Sequence, residues 1–238
     1  MSPATPAAPA SLDLFPDGLP LPGTAPDAPI PGTRRDLGEH ACVLHGWALP
    51  RVAELMPAIE AVCTQAPFRH MVTPGGFTMS VALTNCGRWG WTSDRRGYRY
   101  TLQDPDSGQA WPALPEAFLR LAREAAAEAG LAGAEGFAPD ACLINRYTPG
   151  SRLSLHQDRN ERDLRAPIVS VSLGMPATFL WGGLARSAPT LKVPLHHGDV
   201  VVWGGADRLR YHGIAPLKDR PHPDLGSQRI NFTFRRAG

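Results

Sequence analysis

The second half of the chain is a succession of short β-branched and aromatic runs separated by turn residues. Seven closely spaced runs of this kind are typical of a sandwich or a barrel. Two helical patterns precede them, so we predict a mostly β fold with flanking helices that brace one face. The predicted strands are ACLINRY (141–147), PIVSVSLG (167–174), ATFLW (177–181), TLKVPL (190–195), DVVVWGG (199–205), RLRYHGI (208–214) and RINFTFR (229–235).

Two segments before these strands have the three- and four-residue spacing of apolar residues that an amphipathic helix requires. The first covers residues 49–65 and contains Pro57, which predicts a kink or a late start. The second covers residues 115–129. It begins with a proline, which is favoured in a first helical turn, and Gly130 follows it as a stop signal.

Nine prolines precede Gly32, in a segment that is otherwise rich in alanine. Such a segment has few core-forming residues and cannot offset the entropy lost on ordering. We therefore expect residues 1–35 to be a disordered tail. Residues 36–238 are interpreted as one domain, because about 200 residues is an ordinary domain length.

Composition excludes several classes of protein. The net charge is +2 and only 19% of residues are charged, which argues against an overall polybasic nucleic-acid wrapper but leaves a local basic patch open. No run approaches the ~18 apolar residues of a membrane span. The four cysteines are far apart, and the N-terminal stretch lacks the features of a secretory signal. These observations favour a cytoplasmic protein with reduced thiols.

A candidate metal site involves His156 and Asp158, which lie two residues apart and would share one face of an extended strand. His212, in a polar insertion between an apolar strand and a glycine, is the best candidate for a third ligand. Two histidines and one carboxylate leave three positions open on an octahedral metal, as in the facial triad of non-haem Fe(II) oxygenases. The H-x-D spacing alone is weak evidence, and the alternative is a surface histidine beside a solvated aspartate.

The last predicted strand alternates strictly between polar and apolar residues. On an exterior face it would be an ordinary solvated strand. Facing a barrel lumen, its two guanidinium groups would need a bound dianion, which arginine can hold with two parallel hydrogen bonds to a carboxylate. The polar face consists of Arg229, Asn231, Thr233 and Arg235, and the apolar face of Ile230, Phe232 and Phe234.

Between Phe68 and Tyr100, five arginines face a single acid, Asp94, and aromatic residues are interleaved with them. Cations for phosphates and aromatic rings for bases are the composition of a single-strand-binding surface. The alternative is a glycine-rich loop whose tryptophans plug the end of the barrel. The arginines are Arg69, Arg88, Arg95, Arg96 and Arg99, and the aromatic residues are Phe77, Trp89, Trp91, Tyr98 and Tyr100.

Together these features resemble the Fe(II)/2-oxoglutarate dioxygenase superfamily, and specifically the AlkB family of alkylated-DNA repair dioxygenases. Besides the H-x-D pair, the distal histidine and the R-x-N-x-T-x-R strand, the resemblance rests on Asn145-Arg-Tyr147 and on the blocks at 74–91 and 164–174. It extends from about residue 68 to residue 238. It implies a double-stranded β-helix, or jelly roll, with residues 68–100 as an N-terminal nucleotide-recognition lid.

The resemblance also implies that the chain uses Fe(II), 2-oxoglutarate and O2. The iron ligands of the family match His156, Asp158 and His212. Arg235 would complete the catalytic set by binding the oxoglutarate carboxylate nearest the metal, with Asn231 alongside. The distal carboxylate would be bound by Arg229, Asn145 and Tyr147.

For the substrate, the resemblance implies an alkylated base that has left the stack and entered a pocket. Trp91 would stack on this base opposite His156, and Tyr98 would contact phosphate. Two positions depart from the best-known relatives: Asn160 replaces their acidic residue, and Phe77 lacks the hydroxyl of their aromatic residue. Further pocket residues would be Arg186, Leu143 and Ser170.

The implied activity is oxidative dealkylation of N-alkylated bases such as 1-methyladenine and 3-methylcytosine, with release of formaldehyde, succinate and CO2, in DNA alkylation repair. Single-stranded DNA is the preferred partner, with double-stranded DNA and RNA as further candidates, and we expect a monomer. Two alternatives stay open. A protein or small-molecule 2-oxoglutarate hydroxylase would not need the basic-aromatic block, and a non-catalytic nucleic-acid-binding module would be expected to lack a metal ligand.

Overall fold

The computed structural model describes residues 29–131 and 133–238, so most of the predicted tail lies outside the described residues. The first strand begins at Arg34, two residues before the predicted start of the domain. The Arg34 side chain donates a hydrogen bond to the carbonyl oxygen of Ala129 at 2.9 Å. This hydrogen bond ties the start of the strand to the end of the second helix.

Both predicted helices are present. A 3-10 turn at Leu49–Arg51 precedes α1 (Val52–Gln65), so the α-helix begins three residues later than predicted and contains Pro57. The second helix, α2 (Glu116–Ala129), ends at Gly130, whose φ of 59° lies in the left-handed region that glycine enters without strain. Neither helix is long and apolar enough to cross a membrane.

The described part of the chain also forms fourteen strands, and each of the seven predicted runs contains one. The predicted run RLRYHGI is longer than the strand that it contains, which begins only at His212. A 3-10 turn at Gly205–Asp207 precedes this run and directs the buried Arg208 inward. The strands are β1 (Arg34–Gly38), β2 (Ala41–Leu44), β3 (Arg69–Val72), β4 (Thr78–Gly87), β5 (Gly90–Asp94), β6 (Gly97–Thr101), β7 (Ala141–Tyr147), β8 (Leu153–His156), β9 (Ile168–Gly174), β10 (Ala177–Trp181), β11 (Leu191–Leu195), β12 (Val200–Trp203), β13 (His212–Ile214) and β14 (Arg229–Arg235).

These strands form two antiparallel sheets and one separate hairpin. The major sheet has the order β1-β2-β12-β9-β14-β7-β4-β3, and the minor sheet has the order β11-β10-β13-β8. The β5–β6 hairpin stands apart. The predicted lid, residues 68–100, is therefore not one unit: β3 and β4 belong to the major sheet and only the hairpin is separate. The two facing sheets constitute the jelly roll.

Two apolar cores flank the major sheet. The outer core lies under the helices, where Phe118 of α2 stacks on Phe232 of β14 at 4.9 Å between ring centroids. The inner core lies between the two sheets and includes Phe179, Trp181 and Trp203. As predicted, the apolar and polar residues of β14 lie on opposite faces. The apolar residues face the helices, so the polar residues face the space between the sheets and not the exterior.

Candidate active site

A cavity of about 810 Å³ opens between the two sheets, a size typical of small-molecule sites. Every site residue predicted from the sequence lines it. From the metal, oxoglutarate and base sets these are His156, Asp158, His212, Arg235, Asn145, Tyr147, Arg229, Asn231, Trp91, Tyr98, Asn160, Arg186, Leu143, Ser170 and Phe77.

The two histidines of the H-x-D…H set lie directly opposite each other on neighbouring strands. His156 ends β8, and the register of the β8–β13 pair places it against His212, with 4.4 Å between ring centroids. Asp158 follows β8 by two residues. One ligand atom from each of the three side chains lies within 4.8 Å of the others.

Backbone contacts fix which nitrogen of each histidine is free. The carbonyl oxygen of Ser154 lies 2.9 Å from His156 Nδ1, and that of Arg210 lies 3.0 Å from His212 Nδ1. A carbonyl accepts only, so Nδ1 carries the proton and Nε2 keeps its lone pair. Both Nε2 atoms face Asp158, at 3.8 Å and 3.7 Å from its carboxylate oxygens. Metal-binding histidines are typically held by the other ring nitrogen in this way.

The charge states also suit a metal. Burial opposes ionisation of Asp158, but Arg235 and the two histidines outweigh it and hold the pKa of this carboxyl well below its usual range. Burial, reinforced by His156, lowers the pKa of His212 to about 3. An ionised carboxylate and a neutral imidazole are the forms that bind a divalent metal. The cluster therefore fits Fe(II).

Besides the metal cluster, the cavity contains a buried group that could bind an anion, the guanidinium of Arg229. Arg229 is 1% exposed, and of its side-chain donors only Nη2 has a hydrogen bond, to Ser172 Oγ at 2.9 Å. Within the described ranges, Arg229 Nε and Nη1 and Asn145 Oδ1 have no partner. The guanidinium carbon lies 5.0 Å from the ring centroid of Tyr147, which is opposite it in the β7–β14 register.

Unpaired donors on a buried cation are costly, because the charge has lost its hydration without gaining an acceptor. Burial accordingly lowers the pKa of Arg229. A carboxylate bound there would satisfy both free N–H groups through the planar fork of the guanidinium. The pocket thus fits one end of a dicarboxylate, and the metal cluster lies in the same cavity.

Sequence reasoning missed a buried charge network behind the metal cluster. Glu161 accepts hydrogen bonds from Tyr100 Oη at 2.6 Å and from Arg208 Nη2 at 3.2 Å, and Arg235 Nε lies 3.4 Å from it. Arg208 Nη1 also donates to the carbonyl oxygen of Asp158 at 2.6 Å. Since Tyr100 belongs to β6, the network joins the separate hairpin to the metal cluster.

The base-binding candidates lie on that hairpin. The rings of Trp91 and Tyr98 stack at 5.5 Å between centroids, with 16° between planes. Asn85 holds Trp91 at both backbone groups, with Nδ2 donating to the Trp91 carbonyl oxygen and Oδ1 accepting the Trp91 N–H, each at 3.0 Å. Phe77, 77% exposed, lies at the rim. No pattern in the sequence indicated that the Asn85 side chain would fix the backbone of Trp91.

The basic block is less positive than its composition predicts. Arg69 pairs with Asp104 at 2.5 Å and with Asp106 at 2.9 Å, acids that follow the block in the chain. Arg96 and Arg99 both pair with Asp94, at 3.0 Å and 2.7 Å. Three of the five arginines thus have an acidic partner, although Arg96 and Arg99 share one. Among the described residues, three arginines that line the cavity have no acidic partner: Arg152, Arg159 and Arg186. Outside the lining, Arg88, Arg95 and Arg162 also lack one.

The chain is similar to known dioxygenases over most of its length. Residues 40–235 match the 2OG-Fe(II) oxygenase superfamily. The alpha-ketoglutarate-dependent dioxygenase AlkB of Salmonella typhimurium is 54% identical over 226 residues, which cover 95% of this chain and 98% of that protein. AlkB of Escherichia coli is 52% identical over 227 residues, at the same coverages. The solved structure of OsALKBH1 matches with a TM-score of 0.74 and 25% identity, covering 86% of this chain and 100% of that one.

The AlkB dioxygenases are highly identical to this chain over nearly its whole length. The chain also has a cavity that fits both a divalent metal and a dicarboxylate. The chain therefore belongs to the AlkB family and is an Fe(II)- and 2-oxoglutarate-dependent dioxygenase.

Proposed function

We propose that this dioxygenase removes N-linked alkyl groups from bases such as 1-methyladenine and 3-methylcytosine in single-stranded DNA, as part of the repair of alkylation damage. Membership of the AlkB family makes demethylation of alkylated nucleic acid the activity of the chain. One observation supports the choice of a base as substrate: the stacked Trp91–Tyr98 pair and the His-Asp-His cluster line the same cavity.

In this proposal His156, Asp158 and His212 hold the iron through Nε2, a carboxylate oxygen and Nε2. Arg229 binds the distal carboxylate of 2-oxoglutarate, with Tyr147 against its guanidinium. When both are bound, iron and 2-oxoglutarate supply the O2-dependent oxidation of the alkyl carbon, which leaves as formaldehyde while succinate and CO2 are released. The protein contributes orientation and a site closed to water.

Three other residues complete the oxoglutarate end of the site. Asn145 lies opposite Asn231 in the β7–β14 register, two residues along β7 from Tyr147, and brings its unpaired Oδ1. Asn231 donates to Ser170 Oγ and to the Val171 carbonyl oxygen, both at 2.8 Å, so its side chain is fixed. Arg235 binds the carboxylate nearest the metal while it remains paired with Asp158.

The extruded base enters against Trp91, because an aromatic face offsets part of the cost of unstacking. Tyr98, 47% exposed, has an accessible edge for a phosphate contact. Asn160 faces the exocyclic groups of the base. The β5–β6 hairpin together with the exposed turn that carries Phe77 serves as the recognition lid, with Leu143, Ser170 and Arg186 around the base.

A single strand is the preferred substrate, since its bases can reach the pocket without unpairing. The enzyme acts as a monomer, because one chain supplies all the cavity residues named above. All four cysteines are free thiols, which agrees with the reducing cytoplasm.

The proposal is tested by formaldehyde release from oligonucleotides that carry one 1-methyladenine, with Fe(II), ascorbate and 2-oxoglutarate. Single- and double-stranded DNA and RNA are compared in parallel, and single-stranded DNA is expected to give the highest kcat/KM. His156→Ala and His212→Ala should abolish release and weaken Mn(II) binding. Wild-type protein that releases formaldehyde from none of the four substrates, or either variant with full activity, would refute the assignment.

A further inference from the structure

Trp89 and Arg162 contact each other, and neither residue lines the cavity. The guanidinium carbon of Arg162 lies 5.6 Å from the centroid of the Trp89 ring. The Trp89 backbone N–H donates to the carbonyl oxygen of Asp140 at 3.1 Å, and the Arg162 backbone N–H donates to that of Ala237 at 3.2 Å. Two separate loops are thus tied to the same end of β14.

The cations of this surface are not neutralised. The exposed Arg162 side chain has neither a hydrogen bond nor an ion pair with any residue that the structure describes. Arg88, which directly precedes Trp89 and is exposed, likewise lacks an acidic partner in the described ranges. These side chains therefore differ from Arg96 and Arg99, which share Asp94 as an acidic partner.

The neighbouring acids are engaged elsewhere. Asp163, next to Arg162 in the chain, pairs with Arg165 at 2.9 Å and lies 4.0 Å from Arg236. Asp140 accepts the backbone N–H of Ala237 at 2.6 Å through its side chain. Neither carboxylate pairs with Arg162 or Arg88, so these two cationic groups remain available to an anion from outside the protein.

This contact joins two loops, and each loop also contributes a residue to the cavity. Trp89 is two residues before Trp91, and Arg162 is two residues after Asn160, and both Trp91 and Asn160 line the cavity. Two residues of extended chain span about 7 Å. A nucleic-acid strand whose base occupies the cavity must continue across the surface around it.

We infer that Trp89, Arg162 and Arg88 form a second nucleic-acid contact surface, which binds a phosphate of the strand flanking the extruded nucleotide. This inference rests on the proposed function. Stacking on Trp89 holds the Arg162 guanidinium in place while its N–H edges stay free, and such an edge fits two phosphate oxygens. The surface thereby extends the base pocket into a longer site for a single strand.

The test compares binding of two methylated single strands, a 15-mer and a trinucleotide, to enzyme loaded with 2-oxoglutarate and Mn(II) in place of iron. Fluorescence anisotropy gives Kd for wild type, Arg162→Ala, Arg162→Lys and the control Arg123→Ala. Arg123 is an exposed arginine of α2 outside the active-site cavity, so its loss removes the same charge from another face. Arg162→Ala should weaken 15-mer binding three- to tenfold, and trinucleotide binding less.

The salt dependence provides a second readout. Removing one cation that binds a phosphate of a single strand reduces the slope of log K against log salt by about 0.7. Arg162→Ala should show this decrease and Arg162→Lys should not. If the wild type demethylates oligonucleotides but Arg162→Ala matches Arg123→Ala in 15-mer affinity and salt slope, the inference is wrong and the proposed function stands. If the wild type demethylates no oligonucleotide, the proposed function itself fails.

Discussion

Arg235 Nη2 donates a hydrogen bond to Asp158 Oδ2 at 2.8 Å, and Arg235 Nε donates to the same oxygen at 3.1 Å. β14, the last strand in the chain, therefore orients the carboxylate of the proposed metal site. The resemblance to the family assigns Arg235 to 2-oxoglutarate, and its position gives it a second task, which is to fix Asp158. The two tasks can be separated because only one of them requires the cosubstrate.

Arg235→Lys should weaken metal binding even without 2-oxoglutarate. A lysine keeps the charge but not the planar fork, so it cannot hold Asp158 and a cosubstrate carboxylate together. We expect the Kd for Mn(II) to rise about 10- to 100-fold, as is usual when a residue behind a metal ligand is replaced. Titration calorimetry without cosubstrate measures it. Arg236→Lys, an exposed neighbour, is the control, and equal Mn(II) affinities in the two variants would refute the role of Arg235.

Arg229→Met should stabilise the ligand-free protein and abolish its response to 2-oxoglutarate. The wild type contains a buried cation with two unpaired donors, whose removal is worth about 1–3 kcal/mol. At a 2-oxoglutarate concentration of 100 Kd the wild type should gain about 2.7 kcal/mol, and the variant should gain nothing. Thermal unfolding with Mn(II), with and without 2-oxoglutarate, checks both effects against the exposed control Arg220→Met. A variant that keeps the ligand-induced rise in Tm contradicts the assignment.

Tyr100→Phe should loosen the β5–β6 hairpin from the metal cluster. The hydrogen bond that this change removes joins a hydroxyl to the buried Glu161 carboxylate, and bonds to charged groups contribute about 1.5–3 kcal/mol. Amide hydrogen exchange in residues 90–101 should become faster, and KM for a methylated oligonucleotide should rise severalfold with KM for 2-oxoglutarate nearly unchanged. Exchange rates identical to the wild type would show that this hydrogen bond does not anchor the hairpin.

Asn160→Asp should shift the enzyme toward cationic lesions. Asn160 offers a dipole to a base in the cavity, whereas an aspartate there would add a negative charge. At an exposed position this charge is worth about 1 kcal/mol, or roughly a fivefold change in the ratio of kcat/KM for 1-methyladenine to that for neutral 1-methylguanine. Competition assays on mixed oligonucleotides measure the ratio directly, and an unchanged ratio would exclude electrostatic discrimination by this residue.

His197 makes stability depend on pH. Burial and the adjacent His222 lower its pKa to about 4, against the opposing effect of Asp224 and Asp199. Its ring is therefore neutral in the fold, where Nδ1 accepts the Gly174 N–H at 2.9 Å. The unfolded chain takes up the proton first, so this stability is present above about pH 6.5 and is lost as the pH falls toward 4.

His197→Asn keeps an acceptor for Gly174 but cannot be protonated. The Tm difference between about pH 7.5 and pH 5, measured on metal-free protein, should therefore be smaller than in the wild type, by an amount equivalent to about 1 kcal/mol after allowance for solvent screening. An identical pH dependence in the two proteins would show that other groups carry the effect.

Local patterns predicted most of the fold. The alternation in 229–235 identified the two faces of β14, and the proline and glycine at its ends identified α2. The seven runs identified strands but not their partners, because the order of strands in a sheet depends on contacts between distant segments. The extent of the run at 208–214 was wrong, since Arg208 has tertiary partners, among them Glu161, that hold it out of a strand.

The site residues likewise fall into two groups, those that the sequence identified and those that only the fold revealed. Residues that bear recognisable chemistry, such as His156 and Arg229, were found by motif. Glu161 and Asn85 act through partners that only the fold brings near, so nothing in their neighbourhood distinguished them. The charge of the basic block was misjudged for a related reason: Asp104 lies outside the block in sequence but pairs with Arg69 in space.

Because β8 lies at an edge of the minor sheet, the stability of this edge depends on whether iron is bound. β8 is the outermost strand, bonded on one side to β13 only, and it ends at His156 across from His212. One metal ion bound by both histidines would link β8 to β13 and stabilise a sheet edge that otherwise opens more easily. Loss of iron would thus have two effects on this enzyme. Turnover would fall, and β8 would separate from β13 more often, which would expose both strands to proteases.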